Sequence, residues 1–193
     1  MPLETALGVL LELLQPLPTE TVPLHAAHAR ILAESLTAAA DQPAFNRAMM
    51  DGFAVRSHDC AEAGAILQAI GEAPAGSPLN LHVGAGCCAR VMTGGVVPPG
   101  ADAVIAVEDT ESVSGSAVEL VGSTWRMHVA AAKGKHVAQT GSEVVKGAVV
   151  VAAGSRLSAG RVGTLAHFGH ATVRVHRQPR VAVMPTGTEI VPI

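Results

Sequence analysis

The sequence predicts an α+β chain, helical at its start, mostly β through its middle and mixed towards its end. Three observations predict this. Leu3, Leu7, Leu10, Leu11 and Leu14 fall at i, i+4, i+7, i+8 and i+11, one face of an amphipathic helix. From Gly52 to about Val129, short Val/Ala/Ile runs alternate with turn signals such as Ala75-Gly76-Ser77-Pro78 and Val97-Pro98-Pro99-Gly100. From Val149 onwards a strand, a capped helix and an alternating strand follow one another.

Each element has a local reason. Pro16 and Pro18 stop the first helix, because proline lacks an amide donor and clashes with the preceding turn. A second helix is expected from about His25 to Leu36, with Ile31 and Leu32 on its apolar side and Glu34 in solvent. Ala38 to Pro43 reads as a linker. Val104–Val107 reads as a buried strand, and Ala117–Val121 as another, hairpin-paired across Ser114-Gly115-Ser116. Val149–Ala153 is a strand that turns at Gly154. Ser158 caps a helix that reaches Phe168 and closes at Gly169. Thr172 to His176 alternates polar and apolar, as a half-exposed strand does. Arg180–Met184 reads as one more apolar strand, turning at Pro185-Thr186-Gly187. Nine residues follow Met184, too few for a crossover helix and a second parallel strand. That strand therefore pairs with something earlier or opens a further α/β domain, and the second is the expectation.

Composition narrows the function. Hydrophobic residues make up 49% and charged residues 15%, so the chain has the apolar surface to fold. Aromatics are 2%, with no Tyr, which argues against base-stacking nucleic-acid modules. The net charge of −3 offers no electrostatic footprint for DNA or RNA, so an oxyanion ligand would have to be held locally. The acidic segment Asp102–Glu119 reads as a solvated face. Cys60, Cys87 and Cys88 are odd in number and two are adjacent, so no disulfide framework follows and a reducing compartment is the simple reading. The first basic residue is Arg30, and Glu4 and Glu12 interrupt the leading apolar run, unlike a signal peptide. No stretch of 18 apolar residues would span a bilayer. A cytoplasmic protein without membrane or nucleic-acid partners is expected.

Several motifs have ordinary explanations. Gly84-Ala85-Gly86-Cys87-Cys88-Ala89 matches G-x-G-x-x-A, but Val91-Met92-Thr93-Gly94-Gly95 is no helix start, so a turn is expected rather than a dinucleotide site. His25/His28 and His167/His170 lack Cys or carboxylate partners at ligand spacing. Adjacent cysteines bridge only with strain, so Cys87-Cys88 reads as small core residues. Three segments are harder to set aside. Met49-Met50-Asp51-Gly52-Phe53-Ala54 places a carboxylate beside a glycine at the entry to the β region. Met92-Thr93-Gly94-Gly95 places a hydroxyl before two glycines, and Thr186-Gly187-Thr188-Glu189 follows a strand. The residues alone favour turns, and leave open loops that present backbone amides to an oxyanion.

The run Phe45-Asn46-Arg47-Ala48-Met49-Met50-Asp51-Gly52-Phe53-Ala54-Val55-Arg56 resembles the signature of the molybdopterin molybdenumtransferases, the MoeA and gephyrin E-domain family. So do Arg90-Val91-Met92-Thr93-Gly94-Gly95 with Pro98, Gly100, Ala101, Asp102, Ala103 and Val104, and Arg180-Val181-Ala182-Val183-Met184-Pro185-Thr186-Gly187-Thr188-Glu189. Three segments in family order are more specific than any one.

The resemblance implies a discontinuous helix/strand domain, residues 1–45 with 141–178, that helps form a homodimer. It implies an inserted β-rich domain over 46–140. Residues 179–193 would then be the opening strand of an α/β molybdopterin-binding domain. The implied reaction inserts molybdenum from molybdate into adenylylated molybdopterin, with Mg²⁺ present and AMP released. A molybdopterin adenylyltransferase-type protein is a compatible partner. By position, Asp51, Glu143 and Glu189 match the catalytic acids, with Asp51 and Glu189 suited to Mg²⁺. Thr93, Gly94, Thr186 and Gly187 match substrate-binding positions. This chain departs from the family at Ala138-Gln139-Thr140, where basic residues usually stand, at Gly141-Ser142-Glu143 for Gly-Glu-Asp, at Thr188 and at Phe53. Because the molybdopterin-binding domain is present only as its opening strand, the chain by itself is expected to be inactive. A non-catalytic dimerisation or scaffold module is the rival reading, and a stand-alone metal or redox protein a third.

Overall fold

The computed structural model describes residues 2–76, 80–114 and 120–184. In chain order these form α1 (Leu3–Leu13), β1 (Thr19–Pro23), β2 (Leu36–Thr37), β3 (Arg47–Ala48), β4 (Gly52–Val55) and β5 (Ile66–Ala73). There follow β6 (Cys87–Val91), β7 (Ala103–Ala106), β8 (Thr110–Ser114), β9 (Thr124–Met127) and β10 (Val137–Ala138). The last are β11 (Val149–Val151), α2 (Ala159–His167) and β12 (Thr172–His176). Contacts divide the chain into two compact units, Met1–Ala39 with Ala148–Ile193, and Ala40–Gly147.

In the first unit β1 and β12 pair antiparallel from Thr19↔His176 to Pro23↔Thr172, and β2 pairs with β11. Leu24, Ala27, Leu32, Leu157, Leu165, Val173 and Val175 form its core. Val173 and Val175 point inwards and Thr172 and Arg174 outwards, as the alternation requires. Ser158 caps α2 by accepting from the Arg161 amide at 3.4 Å, and Gly169 closes it with φ +81°. The leucine spacing does produce α1, yet none of its residues is buried.

Two expectations fail in this unit. His25–Leu36 is not a helix: a single 3₁₀ turn at Leu24–Ala26 is followed by a turn with Ala29 at φ +64° and by isolated bridges at Ile31 and Leu32. The amides of Ala29, Leu32 and Ala33 donate instead to the carbonyls of Leu157, Ser155 and Arg174. These long-range bonds hold the backbone out of the helical pattern while Leu24, Ala27 and Leu32 still reach the core. Arg180–Met184 is not a strand either, and Val181, Val183 and Met184 are exposed. Among the described residues this apolar run finds no strand to pair with, and an unpaired edge leaves its amides to water.

The second unit is built on a six-stranded sheet, ordered β7-β4-β6-β5-β9-β8, with β5 and β6 parallel and the other neighbours antiparallel. β4 is buried on both faces. Phe53 and Val55 join Leu67, Ile105, Trp125 and Met127 on one side, and Ala54 packs with Val91 and Val104 on the other. The Phe53 and Trp125 rings lie 4.6 Å apart, tilted at 41°. The buried Trp125 Nε1 donates to Ser123 Oγ at 2.9 Å, which satisfies the indole.

β7 matches the expected strand at Val104. β8 pairs with β9, Thr110↔Met127 to Ser114↔Thr124; of the expected strand Ala117–Val121, Leu120 and Val121 are not in a strand and the rest lies outside the described residues. Trp125 and Met127 can fill the space against Phe53, whereas Val121 is exposed. Residues 115–119, like Pro185, Thr186, Gly187 and Glu189, lie outside the described residues. Gly84–Ala89 is a turn running into β6, with Gly86 at φ +69° and its amide on Asp59 Oδ2 at 3.0 Å. Cys60 and Cys88 are buried in the core. Burial, then Asp59, pushes the Cys60 thiol up to about 11. Burial, then Cys87 and Cys60, pushes Cys88 up to about 12. Both stay protonated near neutral pH and act as small apolar residues.

Candidate functional site

Asp51 stands at the entry to β4, and Gly52 explains how it is placed. A Cβ on Gly52 would collide with the Ile105 carbonyl oxygen, so only glycine lets β4 lie this close to β7. The Val107 amide then donates to the Asp51 carbonyl at 2.9 Å, fixing the chain where the side chain leaves the sheet.

Thr93 lies just beyond the end of β6, and the two loops are joined. Asp51 Oδ1 accepts from the Thr93 amide at 2.7 Å and from its hydroxyl at 2.6 Å. The Gly94 amide donates to Ala48 O and the Ala48 amide to Gly95 O, both at 2.9 Å. Gly94 needs the left-handed region, at φ +85°. A Cβ on Gly95 would meet Met92 O at 2.9 Å and Ala73 O at 3.3 Å. The amides of Thr93, Gly94 and Gly95 are thus all taken by acceptors of the chain itself, Asp51, Ala48 and Met92. Sites for an oxyanion here must come from side chains.

The Asp51 carboxyl is exposed and held below its ordinary value, first by the Thr93 hydroxyl and then by the Thr93 amide. Burial works the other way, and the Arg90 guanidinium adds a further lowering. Asp51 is therefore ionised near neutral pH. Both bonds fall on Oδ1, and among the described residues none falls on Oδ2. One hard carboxylate oxygen is the kind of ligand Mg²⁺ takes, since it binds through one or two carboxylates plus water and phosphate. Asp51 fits that use. Among the described residues no group of three His, Cys, Asp or Glu gathers as a complete metal cage.

Beside this clasp lies a groove of about 370 Å³ lined by Arg47, Ala48, Met49, Thr93 and Gly94. Arg47 pairs in register with Ala138 of β10, and its Nη2 donates to Glu143 Oε1 at 2.8 Å. Glu143 is thus joined to the groove through Arg47. A neighbouring groove of about 650 Å³ has Phe45, Asn46, Val96, Pro98 and Pro99 among its walls.

Asp51, Thr93 and Gly94 are brought together, with Glu143 one residue removed. Sequence reasoning gave no role to Arg47 or Arg90. Arg47 lies four positions before Asp51 and Arg90 three before Thr93, a signal that was available.

The family described as the MoeA N-terminal region (domain I and II) matches residues 1–169. A Bacillus subtilis protein named molybdopterin molybdenumtransferase is 36% identical over 182 residues, 89% of this chain and 40% of that protein. A Staphylococcus aureus (strain MSSA476) protein of the same name is 33% identical over 197 residues, covering 100% of this chain and 45% of that protein. The crystal structure of a molybdopterin biosynthesis MoeA protein from Pyrococcus horikosii superposes with a TM-score of 0.80 at 34% identity, covering 100% of this chain and 50% of that one. The chain spans about half or less of the length of these relatives. Its mixed helix and strand fold is that of MoeA N-terminal domains, and the chain belongs to the MoeA family, matching the family's N-terminal region.

Proposed function

We propose that this chain supplies the N-terminal part of a molybdenum-inserting site in molybdenum cofactor biosynthesis. The reaction is the Mg²⁺-dependent insertion of molybdenum from molybdate into adenylylated molybdopterin, with release of AMP. The observation that carries it is the Asp51–Thr93 clasp: an exposed, ionised carboxylate fixed by two short bonds at the rim of a groove. Asp51, Glu143 and Glu189 are its acidic residues, and Thr93, Gly94, Thr186 and Gly187 border the substrate. Asp51 and Glu189 would hold Mg²⁺, which would supply charge stabilisation to a phosphate group there. Asp51 keeps Oδ2 for that use while Thr93 fixes the rotamer.

The relatives are more than twice as long in two cases, and insertion is proposed to need residues that the N-terminal region does not supply. The test is a chimera in which these 193 residues replace the corresponding part of the Bacillus subtilis relative. Molybdenum insertion is measured from adenylylated molybdopterin, molybdate and Mg²⁺. The chimera is expected to be active, and Asp51→Asn to lower its rate by about tenfold to a thousandfold. Full activity with Asp51→Asn would remove the assignment. A folded but inactive chimera would favour the scaffold reading, which the exposed leucines of α1 support as a contact surface.

A further inference from the structure

Arg47 faces two ways at once. It donates to Glu143 Oε1 at 2.8 Å, and it also lines the groove beside Thr93 and Gly94. The pair is open to water, with side-chain exposure of 33% for Arg47 and 51% for Glu143. An exposed ion pair is held weakly, because water and salt screen it. A guanidinium binds a tetrahedral oxyanion through two parallel N–H···O bonds, which is the stronger arrangement. The loop amides beside it are already used, so Arg47, once it gives up its exposed bond to Glu143, is the cationic source of such bonds among the residues lining this groove. The negative charge of Asp51 is partly answered by Arg90. Asn46 and Val96, next to Arg47 in the chain and across from it, line the neighbouring groove with Phe45, Pro98 and Pro99.

We propose that Arg47 binds a tetrahedral dianion, a phosphate monoester or molybdate, in the groove beside Thr93. Glu143 is its displaceable counter-ion, a positioning residue that acts through Arg47. The choice of these two anions rests on the proposed transferase reading; the site rests on the geometry.

The test is calorimetric titration of the 193-residue chain with sodium molybdate, with AMP and with inorganic phosphate, each in a separate arm. The arm that responds identifies the source of the anion. Arg47→Gln is expected to weaken binding about tenfold or more. Glu143→Gln is expected to tighten it about two- to fivefold and to leave the thermal midpoint little changed, since an exposed pair adds little stability. A purely structural Glu143 would not give that gain. Should Arg47→Gln fail to fold, Arg47→Lys keeps the charge without the fork and is expected to bind less tightly. The proposal is overturned if the wild-type chain binds none of the three anions. It is equally overturned if neither Arg47 variant loses affinity, or if Glu143→Gln binds more weakly. Phosphate binding as tightly as the other two, still dependent on Arg47, would keep the site and remove its transferase ligand. Failure of the transferase reading alone would appear in the chimera instead.

Discussion

Asp51 takes two hydrogen bonds on one oxygen, and that has a measurable acid dependence. Its folded-state pKa lies below the ordinary value, so its contribution to stability is present above that value and lost as pH falls through the folded one. Asp51→Asn does not titrate. The gap in thermal midpoint between wild type and Asp51→Asn is expected to be constant well above the ordinary value of 3.8 and to narrow as pH falls below it. A gap independent of pH across that window would show that the clasp has no energetic weight. The sequence made Asp51 and Thr93 visible as a carboxylate beside glycine and a hydroxyl before glycines. It did not make their contact visible, because they are 42 residues apart and meet only when β4 and β6 pair.

At the scale of the element, β4 carries the most constraint. Gly52 admits β7, Phe53 fills one core and Ala54 the other. Gly52→Ala is expected to destabilise the Ala40–Gly147 unit by about 1–3 kcal/mol or more, because backbone carbonyl cannot give way as a flexible side chain can. Phe53→Ala should cost about 3–5 kcal/mol through the cavity left beside Trp125. Chemical denaturation of each variant measures both, and a Gly52→Ala protein as stable as wild type would contradict the close approach. Local signals read some elements well. Ser158 and Gly169 bracket α2, and the 172–176 alternation gives β12. They failed over His25–Leu36, where amides bond to chain more than 120 residues away. They also missed β8 and β9, whose pairing sets Trp125 and Met127 against Phe53.

At the scale of the whole molecule, α1 presents Leu3, Leu7, Leu10, Leu11 and Leu13 to solvent, with Leu3 at 83% and Leu10 at 58% exposure. We propose that this exposed stripe of leucines is the contact of a homodimer. Leu7→Glu with Leu10→Glu is expected to leave the melting of both units unchanged, since α1 buries nothing in either core. Sedimentation at micromolar concentration should then shift from a dimer towards 19.6 kDa. A wild-type chain already at that mass would remove the dimer. No helix among the described residues is long and apolar enough to cross a membrane, which fits the absence of an 18-residue apolar run. By itself, the sequence determined those elements whose causes lie within a few residues: leucine spacing, a serine cap, a closing glycine, alternating valines. It also carried the three ordered segments that mark the family. Tertiary structure decided which strands pair, which apolar runs stay outside, and that Arg47 stands between Glu143 and Thr93. Those outcomes depend on contacts between residues far apart in the chain, whose closure local propensity does not encode.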